Sequence, residues 1–346
     1  MSRRRSRRSR TDRPWPVKLG FGLAFAGLLL SMAEVGARLA GVSSAYQPDR
    51  IGGWHMLPAQ KDARIRSQEG HTFTLSTNAD GLRTDLSRGR TRGIPRIAVL
   101  GDSIAFGWGA DDGHTLADGI AAGLAARGHA HIEVLNGAQP GYSTSQVNRF
   151  FEEVVRHYTP DLAIVFLPMH DHNLVVVSDR EHLKGASTPW SATRVALAKH
   201  SALFEAMRQA LFPLADQPFV VARPGSAPPS EPRVARVSDD ERAQNLEEMA
   251  TLMSEWGGSL AIGHMPFEGD LTSTEPLERL GADWATAYAD EHGVPLIDLR
   301  PCCGPDGGHL VFPFDRGHLT GEGNLLAGKY AADRILAAWT PPKQAP

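Results

Sequence analysis

Three side chains of this 346-residue sequence have the types needed for nucleophilic acyl chemistry: Ser103, His318 and Asp315. Ser103 follows Arg96-Ile97-Ala98-Val99-Leu100-Gly101-Asp102, an apolar run that reads as a buried parallel strand broken by a glycine. A hydroxyl at such a strand-to-helix corner stands where open α/β sheets place their ligands, with helix-terminal N–H groups close by. The competing reading is that Asp102 or Ser103 only caps the following helix. A serine nucleophile needs a base, and the base needs a carboxylate to fix its tautomer and stabilise the imidazolium. In Asp315-Arg316-Gly317-His318, three residues of separation let Asp315 reach Nδ1 and leave Nε2 for Ser103. A third block, Leu135 to Ser143, contains Asn136, Gly137, Pro140 and Gly141 and reads as a tight loop after the second strand. Its N–H groups could face a developing oxyanion, because fixed dipoles need not reorient during reaction. An ordinary strand-to-helix connection is the other reading.

These blocks require a scaffold of alternating strands and helices, and the pattern from Ile94 onward supplies one. The expected strands are Arg96–Leu100, His131–Leu135, Leu162–Leu167, Ser259–Gly263 and Pro295–Ile297. Helices are expected around Leu116–Ala126, Gln146–Tyr158, Asp239–Trp256, Pro276–His292 and Gly321–Trp339. An insertion at about 187–232 interrupts this rhythm, with an extra helix in Ser187–Leu214 and a Pro-rich loop over Pro213–Pro232. It is either a lid or substrate loop, or a tolerated surface insertion. Before the sheet, residues 41–93 read as a linker with a small β-hairpin, marked by Thr72–Ser76 and the turn Asn78-Ala79-Asp80-Gly81.

Charge divides the chain. The first 13 residues hold seven Arg and one Asp, a net +6, which leaves −9 on the remainder once taken from the overall −3. An acidic body argues against nucleic acid as the main partner. The basic tail precedes the uncharged run Leu19–Ala33, the order that insertion machinery reads as cytoplasmic. We therefore expect a basic cytoplasmic tail over 1–16, a transmembrane signal-anchor over 17–40 and an extracytoplasmic body. The alternative is a secreted protein after cleavage near Ser31-Met32-Ala33. No oligomeric state is read from the sequence.

The combination resembles the SGNH (GDSL-type) hydrolase superfamily of esterases, lipases, carbohydrate deacetylases and some acyltransferases. The matching blocks are Gly101-Asp102-Ser103-Ile104-Ala105-Phe106-Gly107-Trp108-Gly109, Asn136 to Gly141, and Asp315 to His318. More narrowly it is similar to membrane-anchored bacterial members, which carry a hairpin like Thr77–Arg83 and a segment like Arg236-Val237 to Asn245-Leu246. The likeness spans roughly residues 70–340. It implies a doubly wound (flavodoxin-like), mostly parallel five-stranded sheet with helices on both faces, over about 94–342. It also implies Ser103 as nucleophile, His318 as base, Asp315 as its orienter, and Ser103 and Gly141 among the oxyanion donors. No cofactor is expected. The substrate would be an acyl ester, acetyl foremost, of a polysaccharide or lipid. An acyltransferase using the same triad and a non-catalytic glycan-binding or envelope-assembly protein are the alternatives.

One block departs from that pattern. The superfamily's Gly-x-Asn-Asp is here Pro168-Met169-His170-Asp171, with Asn173 close behind. A neutral imidazole donates one N–H, so His170 could replace the missing Asn, or Asn173 could swing in; Asp102, Asn136, Asp171 and Asn173 are supporting candidates. A rival reading takes His170 and His172 on one side of an extended chain, with His264, as metal ligands; we expect no metal. Cys302 and Cys303 are adjacent and read as two thiols, in preference to a vicinal disulfide.

Overall fold

The computed structural model describes residues 14–342 apart from 41–45, 49–53, 57, 68–70, 90–92, 176, 186–192, 194–195, 198–199, 212–233, 267–279, 305 and 314–316. Two compact units are present: residues 1–44 with 196–217, and residues 45–195 with 218–346.

The smaller unit holds α1 (Trp15–Leu39) and α6 (Ala202–Leu211). None of α1's residues is buried, and its Leu, Phe and Met side chains are exposed. At 1.5 Å per residue its 25 residues span about 37 Å, and the helix is long and apolar enough to cross a membrane. It is also compatible with a signal sequence.

The larger unit is built on five parallel strands: β5 (Arg96–Leu100), β6 (Glu133–Asn136), β7 (Leu162–Phe166), β10 (Ser259–His264) and β11 (Leu296–Asp298). Their order is β6-β5-β7-β10-β11, the doubly wound, flavodoxin-like arrangement. Every residue of β5 and β7 is buried, as apolar strands covered on both faces must be. Alternation along β5 divides the core in two. Ile97 and Val99 pack with α3 (Leu116–Ala126) and α9 (Gly321–Ala338). Ala98 and Leu100 face the other way, toward α4 (Thr144–Glu153), α7 (Asp239–Ser254) and α8 (Leu280–His292). Helices α3 and α9 lie very close because glycines meet between them. A Cβ on Gly123 would stand 2.7 Å from that of Ala332, and one on Gly328 would stand 2.6 Å from the Gly119 Cα.

Ahead of the sheet, β3 (Ala63–Arg66) and β4 (Thr72–Leu75) form an antiparallel hairpin. The segment Thr77–Arg83, expected as a hairpin, is instead the turn that follows it. The reason is local: Asn78 Oδ1 accepts from the N–H groups of Asp80 and Leu82, folding the chain around its own side chain. The shorter pair β1 (Tyr46–Pro48) and β2 (Trp54–Met56) precedes this hairpin. A further pair, β8 (Leu174–Val175) with β9 (Val234–Ala235), closes the base of the insertion after the short helix α5 (Asp179–Gly185) begins it. The Pro-rich loop expected over Pro213–Pro232 lies outside the described residues. Cys302 and Cys303 are joined as a vicinal disulfide rather than standing as two thiols.

Candidate active site

The corner after β5 depends on Gly101, whose φ of +145° is open to glycine. A Cβ there would lie 2.6 Å from the Phe166 carbonyl oxygen and 2.9 Å from the Ala105 Cβ. Asp102 then caps α2 (Ser103–Phe106), its Oδ1 accepting from Ile104 N at 3.0 Å. Its Oδ2 accepts from Met169 N at 3.2 Å, so one carboxyl joins the ends of β5 and β7. Ser103 opens the helix, nearly buried.

His318 arrives from the far end of the chain. Its carbonyl accepts from Phe312 N at 3.0 Å, and Thr320 N donates to Leu310 O at 2.7 Å. Thr320 also caps α9. With backbone ties on both sides, the imidazole is set so that Nε2 lies 2.7 Å from Ser103 Oγ. A hydroxyl bonded to an imidazole in this way can pass its proton as the oxygen attacks. Asp315, the carboxylate expected on Nδ1, lies outside the described residues.

The loop after β6 is held at several points. Asn136 donates to Phe106 O at 3.1 Å and accepts from Ala138 N at 3.2 Å, bracing the end of α2. Gln139 N donates to Gly101 O at 3.0 Å. Gly141 has φ +80°, a left-handed turn that favours glycine, and its carbonyl accepts from Arg236 Nη1 at 2.9 Å.

His170 lies in a 3-10 turn, Met169–His172, not in an extended chain. That turn separates the two histidines expected to share a side. His170 Nε2 lies 3.8 Å from Asp102 Oδ2, whereas His172 Nε2 meets Arg242 Nη2 at 3.3 Å. His264 Nδ1 lies 3.0 Å from Met265 O. Among the described residues no three His, Cys, Asp or Glu side chains cluster as metal ligands. Asn173 Nδ2 donates to His170 Nδ1 at 3.2 Å, which leaves the ring proton on Nε2. Burial, aided by Arg236 and His318, pushes His170 down to about 3, so the imidazole is neutral through the physiological range. Burial also raises Asp102 to about 6, against the N–H groups of Ile104 and Met169 and the charge of His318.

Asp171 is bound to two helices. It accepts from Thr144 N and Oγ1, both at 2.8 Å, and from Arg242 Nε at 2.9 Å. It ties the starts of α4 and α7 to the end of β7, and burial is the main influence raising its pKa.

Two arginines complete the site, and no role was assigned to either from sequence. Arg236 donates through Nε to both Asp179 oxygens at 2.9 Å, through Nη2 to Gln146 Oε1, and to Gly141 as above. It opens the sequence segment Arg236-Val237 to Asn245-Leu246 singled out above, which is the available signal. Arg83 donates to the carbonyls of Gly107 (3.0 Å), Ala110 (2.7 Å) and Thr74 (3.1 Å) and pairs with Asp112. It holds the turn after α2 against the hairpin. A buried guanidinium suits this work, because its planar fork serves several acceptors at once.

Residues 99–326 match the GDSL-like lipase/acylhydrolase family. Among solved structures, the lipase/acylhydrolase from Enterococcus faecalis is 17% identical with TM-score 0.43, covering 72% of this chain and 99% of that one. The acetyl xylan esterase AlAXEase is 13% identical with TM-score 0.42, covering 71% of this chain and 100% of that one. A third, a mutant of the acetyl-xylooligosaccharide esterase Axe2 from Geobacillus stearothermophilus, is 14% identical with TM-score 0.42, covering 71% of this chain and 96% of that one. Comparison with curated proteins gives no match. With a family match across most of its length, the chain belongs to the GDSL-like lipase/acylhydrolase family.

Proposed function

We propose that the chain is a membrane-anchored serine esterase that removes acyl groups, acetyl foremost, from a polysaccharide or lipid outside the cytoplasm. The observation that carries this reading is the 2.7 Å contact between Ser103 Oγ and His318 Nε2 at the carboxyl end of β5. In the reaction Ser103 Oγ attacks the ester carbonyl while His318 Nε2 takes its proton. The imidazolium, oriented by Asp315, then gives that proton to the leaving alcohol. Water deacylates the enzyme by the same steps in reverse. The N–H groups of Ser103 and Gly141 and the Nε2–H of His170 hold the oxyanion. Neutrality of His170 supports its part, since the ring carries one fixed donor proton.

The basic tail ahead of α1 supports an N-terminus in the cytoplasm, with the body on the other side. Hydrolysis of p-nitrophenyl acetate by the detergent-solubilised full chain, compared with Ser103→Ala, tests the reading. A fall in kcat of at least about a thousandfold is expected. Equal rates would remove Ser103 from the chemistry.

A further inference from the structure

We propose that α6 is a membrane-surface helix, docked on the anchor by Glu34, whose apolar face is covered by the boundary between lipid headgroups and acyl chains. The proposal rests on the reading of α1 as a bilayer-spanning anchor. Glu34 is the first ionisable residue after the uncharged run Leu19–Ala33. Its carboxylate accepts from Ser201 Oγ at 2.8 Å, Ala202 N at 3.0 Å and Leu203 N at 2.9 Å, meeting the unpaired N–H groups that open α6. Arg38 closes the arrangement, donating to Glu34 at 2.7 Å and to the His200 carbonyl at 2.9 Å. One acidic side chain on one helix thus acts as the N-cap of another some 160 residues away, with its charge at the positive end of that helix.

This geometry fixes where α6 begins. Glu34 lies five residues before the end of α1, about 7–8 Å along the axis, so the cap stands where the apolar span gives way to polar residues. From there Leu203, Met207 and Leu211 recur at four-residue spacing, with Phe204 beside them, forming one apolar face. Leu203 and Phe204, near the cap, are partly covered, but Met207 is 52% and Leu211 66% exposed, and Val35 and Leu39 of α1 are exposed as well. An apolar stripe starting at the edge of a membrane span is continuous with the lipid that covers the span.

The connectivity gives the docking a consequence. α6 belongs to the anchor unit, yet it is carried by the insertion that leaves after β8 and re-enters at β9. Those strands directly follow His170–Asn173 and directly precede Arg236. The membrane unit is therefore joined covalently to both segments that flank the candidate oxyanion site.

Full-length chain in liposomes containing anionic lipid, bimane-labelled at Met207→Cys, provides the test; chain without the added cysteine sets the background. Nitroxide on the lipid chain near the headgroup should quench Met207→Cys by about twofold or more. Leu28→Cys should be quenched by nitroxide deep in the bilayer. Adding Glu34→Ala should lower quenching at Met207→Cys and leave Leu28→Cys unchanged. Quenching at Leu28→Cys without quenching at Met207→Cys overturns this proposal while sparing the anchor. Shielding of Met207→Cys from both lipid nitroxide and aqueous iodide also overturns it, because the face is then covered by protein. An effect at Met207→Cys that survives Glu34→Ala overturns the docking. Absence of quenching at Leu28→Cys removes the anchor reading, and this proposal with it.

Discussion

Replacing His170 with glutamine should change how stability depends on pH, by an amount that follows from the surroundings of the ring. Asp102 lies 3.8 Å from Nε2, Asn173 donates to Nδ1, and Arg236 and His318 act on the ring electrostatically. The folded protein holds the imidazole at about 3, against an ordinary value of 6.5. Between those values the folded ring is neutral while the unfolded chain binds a proton. Its contribution to stability is therefore complete above about pH 6.5 and is lost as pH falls toward 3. At pH 4.5 the gap from the ordinary value is about two units, or about 3 kcal/mol. Asp102 works in the opposite sense. Raised to about 6, it is protonated in the folded protein and ionised in the unfolded chain between pH 3.8 and 6, so its contribution weakens as pH rises through that window. Both proteins keep Asp102, and comparing them isolates the histidine. Urea unfolding of wild type and His170→Gln at pH 7.5 and 4.5, followed by tryptophan fluorescence, gives the double difference. Acidification should cost the wild type about 3 kcal/mol more than the variant. Parallel losses would show that His170 titrates normally, and the argument for a permanently neutral oxyanion donor would fail.

Two further substitutions probe the supports of the site. Asp171→Asn takes from the buried Arg242 its buried carboxylate and leaves it only the exposed Asp239, so stability should fall by about 3 kcal/mol, read from the urea midpoint; a loss below about 1 kcal/mol would mean that the buried pair is dispensable. Arg236→Lys replaces a fork serving Asp179, Gln146 and the Gly141 carbonyl with a single ammonium. It should lower kcat ten- to a hundredfold with a smaller effect on KM, and an unchanged kcat would show that Gly141 is positioned without it.

The sheet was legible because its strands are short apolar runs bounded by glycine, proline and polar caps. Arg96–Leu100 stands where it was expected. The second strand begins two residues later than expected, at Glu133, because Ile132 N still closes a turn on His129 O and pairing starts at Arg96↔Glu133. The helix expected over Gln146–Tyr158 starts earlier, at the Ser143 capping box, and gives way after Glu153 to a 3-10 turn over Val155–Tyr158. At the site, Ser103 and His318 were readable because each sits beside a recognisable helix start. His170 was readable as a departure, but its direction depends on a tight turn that periodicity does not reveal. The contact of Arg236 with the Gly141 carbonyl crosses 95 residues and involves a backbone atom, which no side-chain pattern marks. The tie between Glu34 and α6 is of the same kind, an ordinary glutamate whose partners are N–H groups in a distant segment.

Covalent labelling tests the central claim most directly. A fluorophosphonate reacts with a serine whose hydroxyl is activated by a neighbouring base. Incubated with the full chain and followed by peptide mass mapping, it should leave one adduct, on Ser103, absent from Ser103→Ala and strongly slowed in His318→Gln. No adduct, or an adduct on another serine with Ser103 unmodified, would contradict the account.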